Sequence, residues 1–179
     1  MATRCIERQK FGEIKSISPP VTHKKEDFTN MKRIYLAYGS NMNIEQMKRR
    51  CPDAKVLGVS KIDGYSLEFH GGDGSAVATI VPNKESRVPV VVWEISASDE
   101  RNLDRYEGFP RLYYKEDFRV HLGKRKIDAF AYIMAHGYPV GIPSEYYFSV
   151  ILDGYADNDI DTKPLFNALF AANGCTATK

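Results

Sequence analysis

The sequence IYLAYGSN, residues 34–41, joins a short apolar run to a polar turn that contains glycine. An apolar run of this length that stops at such a turn is typical of a buried β-strand. Beyond the turn, Asn43 and Gln46 have the spacing of a helix capping box, and apolar residues recur at helical spacing until Pro52. The stretch therefore predicts a buried strand, a turn and a helix N-terminus in direct succession.

Stretches rich in β-branched and aromatic residues dominate the chain after this helix. They lie at residues 55–69, 75–81, 88–95, 113–122 and 126–134. They are separated by turn residues at 71–74, 82–83 and 123–125. Such runs bounded by turn residues predict antiparallel strands, and the last two runs predict a hairpin.

Helix signals occur once between the predicted strands and again in the C-terminal part of the chain. Ser98 is placed to cap a helix whose first turn is acidic and which ends before Gly108, so that Glu107 is the last residue before the break. Further caps are predicted at Ser144 and at Asp161 or Thr162. The chain is therefore expected to end in helices.

This succession of elements predicts the α+β class. Strands outnumber helices and are mostly joined by hairpins, which favours a strongly curved sheet. We expect a mixed, mostly antiparallel, closed or nearly closed β-barrel flanked by helices, since closure removes the exposed edges of a sheet.

The composition indicates one globular domain and excludes several classes of protein. The 179 residues are 43% hydrophobic and 27% charged, a balance typical of soluble proteins. Lys and Arg number 25 against 23 Asp and Glu, so the net charge of +2 provides no large field for nucleic acid or an anionic membrane. We therefore expect no nucleic-acid partner and no membrane partner.

The first thirty residues differ from the rest of the chain. They are polar, contain the break Pro19-Pro20, and carry six basic side chains against four acidic ones. The sequence thus predicts a leader at residues 1–30 and one domain at residues 31–179. The leader is interpreted as a flexible appendage, with a partner-binding arm as the alternative.

Cysteine and histidine usage argues against disulfide, metal and thiol chemistry. The three cysteines are odd in number and form no CxxC pair, and no two of the four histidines lie at metal-ligand spacing. No apolar run approaches the length of a membrane span, and charges stand where a signal peptide needs apolar residues. We expect a cytoplasmic protein with no metal and no cofactor.

Two places in the sequence can carry chemistry. In the turn at residues 38–42, backbone N–H groups at a helix N-terminus can receive a carboxylate or a developing oxyanion, although glycine-containing turns of this kind are also common for purely steric reasons. The second place is Glu107, at the C-terminal end of a helix, where the helix dipole disfavours the ionised carboxylate and suits it to act as a base. The alternative is an exposed Glu107, or one paired with Arg105 or Arg111.

These motifs, in this order, resemble the γ-glutamylcyclotransferase family. The resemblance covers residues 34–161 and leaves the first thirty residues out. Its motifs are AYGSNM at 37–42, SAVATI at 75–80, VVVWEI at 90–95, LDRYEGFPRLYY at 103–114, AYIM at 131–134 and PSEYY before ILDGY at 143–155.

The resemblance implies a barrel whose cavity binds a small-molecule γ-glutamyl substrate and cyclises it to 5-oxoproline with release of an amine. It implies Glu107 as the catalytic base. It also implies substrate-binding roles for Tyr35, Ala37, Tyr38, Gly39, Ser40, Asn41 and Tyr132. Residues 109–114 and 136–142 are expected to form the rim around the departing half, whose identity stays open, as does the oligomeric state.

Two other interpretations remain at this point. One is a non-catalytic member of the same fold that binds a small metabolite or a protein partner. The other is a glycosidase-like acid pair, because Asp104 and Glu107 share a helix face at a spacing of three residues.

Overall fold

The computed structural model describes residues 32–174, so the predicted leader lies outside the described residues. The strands are β1 Arg33–Ala37, β2 Lys55–His70, β3 Val77–Ile95, β4 Tyr113–Leu122 and β5 Arg125–Met134. The helices are α1 Ile44–Arg50, α2 Ala97–Tyr106, α3 Glu145–Asp157 and α4 Lys163–Ala172, and a 3-10 turn at Ser40–Met42 lies between β1 and α1.

The five strands form one mixed sheet in the order β2-β3-β1-β5-β4. The central strand β1 is antiparallel to β3, with Leu36 opposite Val92, and parallel to β5, with Tyr35 opposite Phe130. The strand pairs β2-β3 and β4-β5 are antiparallel hairpins. The predicted α+β class and the mostly antiparallel pairing are confirmed.

The predicted closed barrel is not confirmed, because the sheet has two edges. In the described part of the chain no backbone ladder joins β2 to β4. Side chains link these edges instead. The Ser60 hydroxyl donates to the His121 carbonyl at 2.6 Å, and the Tyr65 hydroxyl donates to the Glu116 carboxylate at 2.7 Å. The sheet therefore curves far enough to bring its edges together without sharing backbone hydrogen bonds.

The break predicted at residues 82–83 is a bulge within one long strand. Register passes from Tyr65 opposite Pro82 to Asp63 opposite Arg87, so a single residue of β2 faces the four residues 83–86. The bulge accommodates Pro82 because the extra residues interrupt the ladder there. The predicted runs 75–81 and 88–95 thus belong to one strand, β3.

Helix α2 begins two residues earlier than predicted. Its cap is Ser96, whose hydroxyl accepts the Asp99 amide at 3.1 Å while the Asp99 carboxylate accepts the Ser96 amide at 3.1 Å. This reciprocal capping box satisfies two backbone donors, whereas Ser98 lies inside the first turn. The predicted cap at Ser144 is confirmed, and Thr162 rather than Asp161 precedes α4.

The core lies where the central strands meet the helices. Val90, Val91 and Val92 of β3 and Leu36 of β1 are fully buried, which explains the continuous apolar runs in the sequences of these strands.

Within residues 32–174, no helix is both long enough and apolar enough to cross a membrane.

Candidate active site

A cavity of about 220 Å³ opens where β1 ends between its two neighbours. Strands β3 and β5 continue past Ala37 while β1 turns away, which leaves a crevice at the carboxyl end of the central strand. Glu107 and six of the seven predicted substrate-binding residues line it, namely Tyr35, Tyr38, Gly39, Ser40, Asn41 and Tyr132. The seventh, Ala37, is fully buried in β1 and does not line the cavity.

The predicted turn forms one wall of the cavity. The Met42 amide donates to the Gly39 carbonyl at 2.9 Å, so the amides of Ser40 and Asn41 precede the first hydrogen bond of this 3-10 turn. Gly39 also lies in a closely packed position, because a Cβ there would lie 3.3 Å from the Ala78 Cβ and 3.4 Å from the Tyr147 hydroxyl. The structure thus shows close packing at Gly39, and the amide-presenting role of the turn stays a prediction.

Glu107 faces the turn from the C-terminal end of α2. The Phe109 amide donates to the Asp104 carbonyl at 2.9 Å and the Gly108 amide to the Arg105 carbonyl at 3.4 Å, the two bonds of a Schellman motif. Gly108 supplies the positive φ of 65° that this motif needs. The end of the helix thus fixes the backbone from which the Glu107 carboxylate projects.

The Glu107 carboxylate is held by Asn41. The Asn41 side-chain nitrogen donates to Glu107 Oε1 at 2.8 Å and to the Tyr35 hydroxyl at 2.9 Å. No ion pair within residues 32–174 involves Glu107, so the predicted alternatives, pairing with Arg105 or Arg111, do not form.

Burial raises the pKa of Glu107 from its ordinary value of 4.5 to about 7. The positive charge of Arg50 and the hydrogen bond from Asn41 act in the opposite direction and lower it. The sequence predicts a raised proton affinity for Glu107 from the helix dipole, and the largest cause found in the structure is desolvation. A carboxylate with a pKa near neutrality can both accept and return a proton at physiological pH.

Asp104 lies one helical turn before Glu107 and serves a different set of contacts. Its carboxylate accepts the Tyr132 hydroxyl at 2.6 Å and the Lys115 ammonium at 2.7 Å. Asp104 does not line the cavity, so the two carboxylates do not flank a common substrate as a glycosidase pair requires. The Tyr132 ring lines the cavity while its hydroxyl is bound to Asp104.

A family model described as "Gamma-glutamyl cyclotransferase, AIG2-like" matches residues 35–149, which include the turn and Glu107. The chain belongs to this family. It is 29% identical over 136 residues to the human gamma-glutamylcyclotransferase and 30% identical over 140 residues to the mouse protein. Each alignment covers 71% of this chain and 72% of the relative. A solved structure of a gamma-glutamyl cyclotransferase has the same fold, with a TM-score of 0.69 and 24% identity over 83% of this chain and 90% of that chain.

Three tyrosines that line the cavity, Tyr106, Tyr113 and Tyr147, are not among the predicted substrate-binding residues. Two of them, Tyr113 and Tyr147, contact the backbone of β3. The Tyr113 hydroxyl donates to the Ala78 carbonyl at 2.7 Å, and the Ala78 amide donates to the Tyr147 hydroxyl at 3.2 Å. Both therefore satisfy the backbone of β3 where β1 no longer pairs with it. Leu112 and Tyr113 belong to the predicted rim at 109–114, whereas no residue of 136–142 lines this cavity.

Arg50 is a further residue that the sequence analysis missed. Its guanidinium donates to the side-chain oxygen of Asn41 and, at 3.2 Å, to the Ser40 hydroxyl. The only sequence signal was its spacing of four residues from Gln46, which places both on one face of α1.

Within residues 32–174, no group of three His, Cys, Asp or Glu side chains is arranged to hold a metal ion.

Proposed function

We propose that this chain is a γ-glutamyl cyclotransferase that converts a γ-glutamyl amino acid or γ-glutamylamine to 5-oxoproline and a free amine. The observation that carries the proposal is Glu107, a carboxylate with a raised pKa of about 7 in a cavity whose opposite wall is a turn with amides available for a ligand. The cavity of about 220 Å³ suits a small metabolite. The proposed location is cytoplasmic, from the cysteine usage and composition.

The nucleophile in this reaction is the substrate's own α-amine, so the protein needs no reactive serine or cysteine. The α-ammonium group must lose a proton before it can attack, and Glu107 accepts that proton. Because Asn41 donates to Oε1, we assign the proton to the second carboxylate oxygen, Oε2. A positioned carboxylate typically contributes about 10²- to 10⁴-fold to such a step.

The turn residues Ser40 and Asn41 are proposed to stabilise the negative charge that develops on the γ-carbonyl oxygen. A well-placed donor of this kind is worth roughly 3 kcal/mol in the transition state. Tyr38 and Tyr113 line the cavity. We propose that they keep the glutamyl chain folded, which supplies the orientation that intramolecular attack requires.

The bonds and protons balance without a co-reactant. A bond forms between the α-nitrogen and the γ-carbonyl carbon, and the bond from that carbon to the departing nitrogen breaks. Glu107 returns the proton it accepted to the departing nitrogen, so the carboxylate is regenerated as the amine leaves. The second proton of the α-ammonium group passes to solvent, and the released amine takes up one proton from solvent.

The test is release of 5-oxoproline from a panel of γ-glutamyl dipeptides and γ-glutamylamines. The Glu107→Gln variant keeps an oxygen that can accept the Asn41 bond but cannot act as a base, so we expect turnover to fall by about 10²- to 10⁴-fold. Asp104→Asn is the matched control on the same helix, and we expect it to retain most of the activity.

Two results would overturn the proposal. Parent and Glu107→Gln proteins that bind γ-glutamyl compounds equally well and are equally inert would favour a non-catalytic binding protein. A loss in Asp104→Asn as large as that in Glu107→Gln would favour an acid pair. Calorimetric titration of the same ligands into both proteins separates binding from turnover.

A further inference from the structure

We propose that Arg50 is a positioning residue of this site, which holds the side-chain amide of Asn41 with its nitrogen directed at Glu107. This inference rests on the proposed function for its kinetic consequences. Its structural part, the orientation of Asn41 and the charge beside Glu107, stands on the contacts alone.

Arg50 is fixed from three directions. One guanidinium nitrogen, Nη1, donates to Asn41 and Ser40 of the turn, and the other, Nη2, donates to the Gln46 side-chain oxygen. The guanidinium carbon, Cζ, lies over the ring of Tyr106, 3.7 Å from its centroid. A planar, five-donor group suits these simultaneous contacts, which a lysine ammonium cannot reproduce.

The orientation of the Asn41 amide follows from the chemistry of its neighbours. Arginine is a donor only, so the group that faces Arg50 must be the Asn41 oxygen. The Asn41 nitrogen then points the other way and donates to Glu107 and to the Tyr35 hydroxyl. A rotated amide would direct its oxygen at the carboxylate and lose the bond that fixes Oε1.

Arg50 also sets the charge beside the base. It lowers the pKa of Glu107 and so partly opposes the effect of burial. The other titratable groups coupled to Glu107 come from β1, β4, β5, α3, the turn and the residue that follows α1. Burial raises the pKa of each, so they are neutral near pH 7. They are Tyr35, Tyr38, Cys51, Tyr113, Tyr132 and Tyr147. Within the described residues, Arg50 is the cation that acts on Glu107.

Two substitutions separate orientation from charge. Arg50→Lys keeps the charge but loses the paired contacts, and Arg50→Gln loses both. Arg49→Gln is the matched control, since Arg49 precedes Arg50 on α1 and, among residues 32–174, forms its ion pair with exposed Glu45. Circular dichroism and thermal melting establish that each variant is folded before its activity is compared.

The kinetic test uses a double-mutant cycle with Asn41→Ala. We expect Arg50→Lys to lower kcat by roughly 10²-fold with a smaller change in KM, because a displaced base affects the chemical step most. In the Asn41→Ala background, Arg50→Lys should cause little further loss, because its effect passes through Asn41. Fully additive losses, or parent kcat in Arg50→Lys, would overturn the positioning role.

The second test needs no turnover. NMR titration of the Glu107 carboxyl carbon is expected to give midpoints above the parent value in both variants, with the higher midpoint in Arg50→Gln. Arg50→Lys loses the Asn41 bond to Glu107 but keeps the positive charge, whereas Arg50→Gln loses both. Equal midpoints in the parent and Arg50→Gln would contradict the charge role. If no γ-glutamyl compound is turned over by the parent, the proposed function fails, whereas this titration still decides whether Arg50 acts on Glu107.

Discussion

The two carboxylates at the end of α2 lie one helical turn apart and have opposite surroundings. Asp104 is paired directly with the Lys115 ammonium and accepts the Tyr132 hydroxyl. Glu107 faces the cavity, is held by the neutral Asn41 amide, and has a pKa raised by burial to about 7. The two carboxylates therefore differ in charge environment: a direct cation pairs with Asp104, whereas desolvation raises the proton affinity of Glu107.

The ion pairs around Asp104 hold the helix whose C-terminal end carries Glu107. The Lys115 ammonium bridges Glu100, at 2.6 Å, and Asp104, at 2.7 Å, and lies over the ring of Phe109 at 4.7 Å from its centroid. Arg33 of β1 also pairs with Glu100, at 2.6 Å. These contacts join α2 to β1 and β4, so the ion cluster holds the helix whose end carries the candidate base.

The largest effect on stability is expected when this cluster loses its central cation. Lys115→Met keeps the length of the side chain but removes the ammonium group that pairs with two partly buried carboxylates, Glu100 and Asp104. We expect the free energy of unfolding to fall by about 3 kcal/mol, since Asp104 loses its ion pair in a partly buried setting while Glu100 keeps its pair with Arg33. Urea unfolding of parent and variant measures the change.

An exposed ion pair provides the control for that experiment. Arg119 and Asp128 pair at 2.6 Å, but their side chains are 67% and 74% exposed. We expect no measurable change in unfolding free energy for Arg119→Met, because solvent screens such pairs. Equal effects of the two substitutions would remove the distinction between a structural ion cluster and a surface pair.

A smaller change in the free energy of unfolding is expected for Glu107→Gln. Here we expect the variant to be more stable than the parent. The folded protein binds the Glu107 proton more tightly than the unfolded chain, because the pKa is raised from 4.5 to about 7. The stability contributed by that proton is present below the unfolded pKa and is lost as the pH rises through the folded one. Glutamine mimics the protonated form and does not suffer this loss.

Urea unfolding at two pH values tests this expectation. We expect the parent and Glu107→Gln to have similar free energies of unfolding at about pH 5. At about pH 8 we expect the variant to be more stable by about 2 kcal/mol. A variant less stable than the parent at the higher pH would show that Glu107 is a structural carboxylate and not a destabilising functional one.

The smallest effect is expected at the glycine that ends α2. Gly108→Ala places a Cβ at a φ of 65° and within 3.2 Å of the Leu112 Cβ. We expect a loss of about 1 kcal/mol in unfolding free energy. We also expect a fall in kcat, since the Schellman motif sets the direction of Glu107.

Gly123→Ala is the matched control, because Gly123 has a φ of 59° and lies in the β4-β5 turn with open space around it. A similar loss of stability with unchanged kcat is expected there. Equal kinetic effects of the two alanine variants would contradict a specific link between the helix end and the base.

Local signals predicted much of the fold. The apolar run that stops at the turn gave β1, and turn residues bounded the strands correctly except at Pro82, where a bulge continues β3. Closure of the sheet could not be read from the sequence, because it depends on how strand edges meet over long sequence separations. The cap of α2 was misplaced because Ser96 and Ser98 both precede acidic residues, and only the reciprocal bonds of Asp99 distinguish them.

The candidate site was predictable where one segment carries it. The turn and Glu107 stood out as local motifs, and the structure brings both to one cavity. Arg50 and Tyr147 act through neighbours from other elements, and Tyr147 lies 69 residues from the Ala78 amide that it accepts. Contacts of this range have no local sequence signature, so they required the structure.

The pH dependence of kcat/KM for 5-oxoproline release tests the role of Glu107 most directly, because this parameter reports the ionisation of groups in the free enzyme. A base that must be unprotonated predicts a rate that rises with pH along a limb of unit slope, with its midpoint near the Glu107 pKa of about 7. A rate that is already constant through this region, with a midpoint near the ordinary glutamate value, would contradict the assignment of Glu107 as a base with a raised pKa.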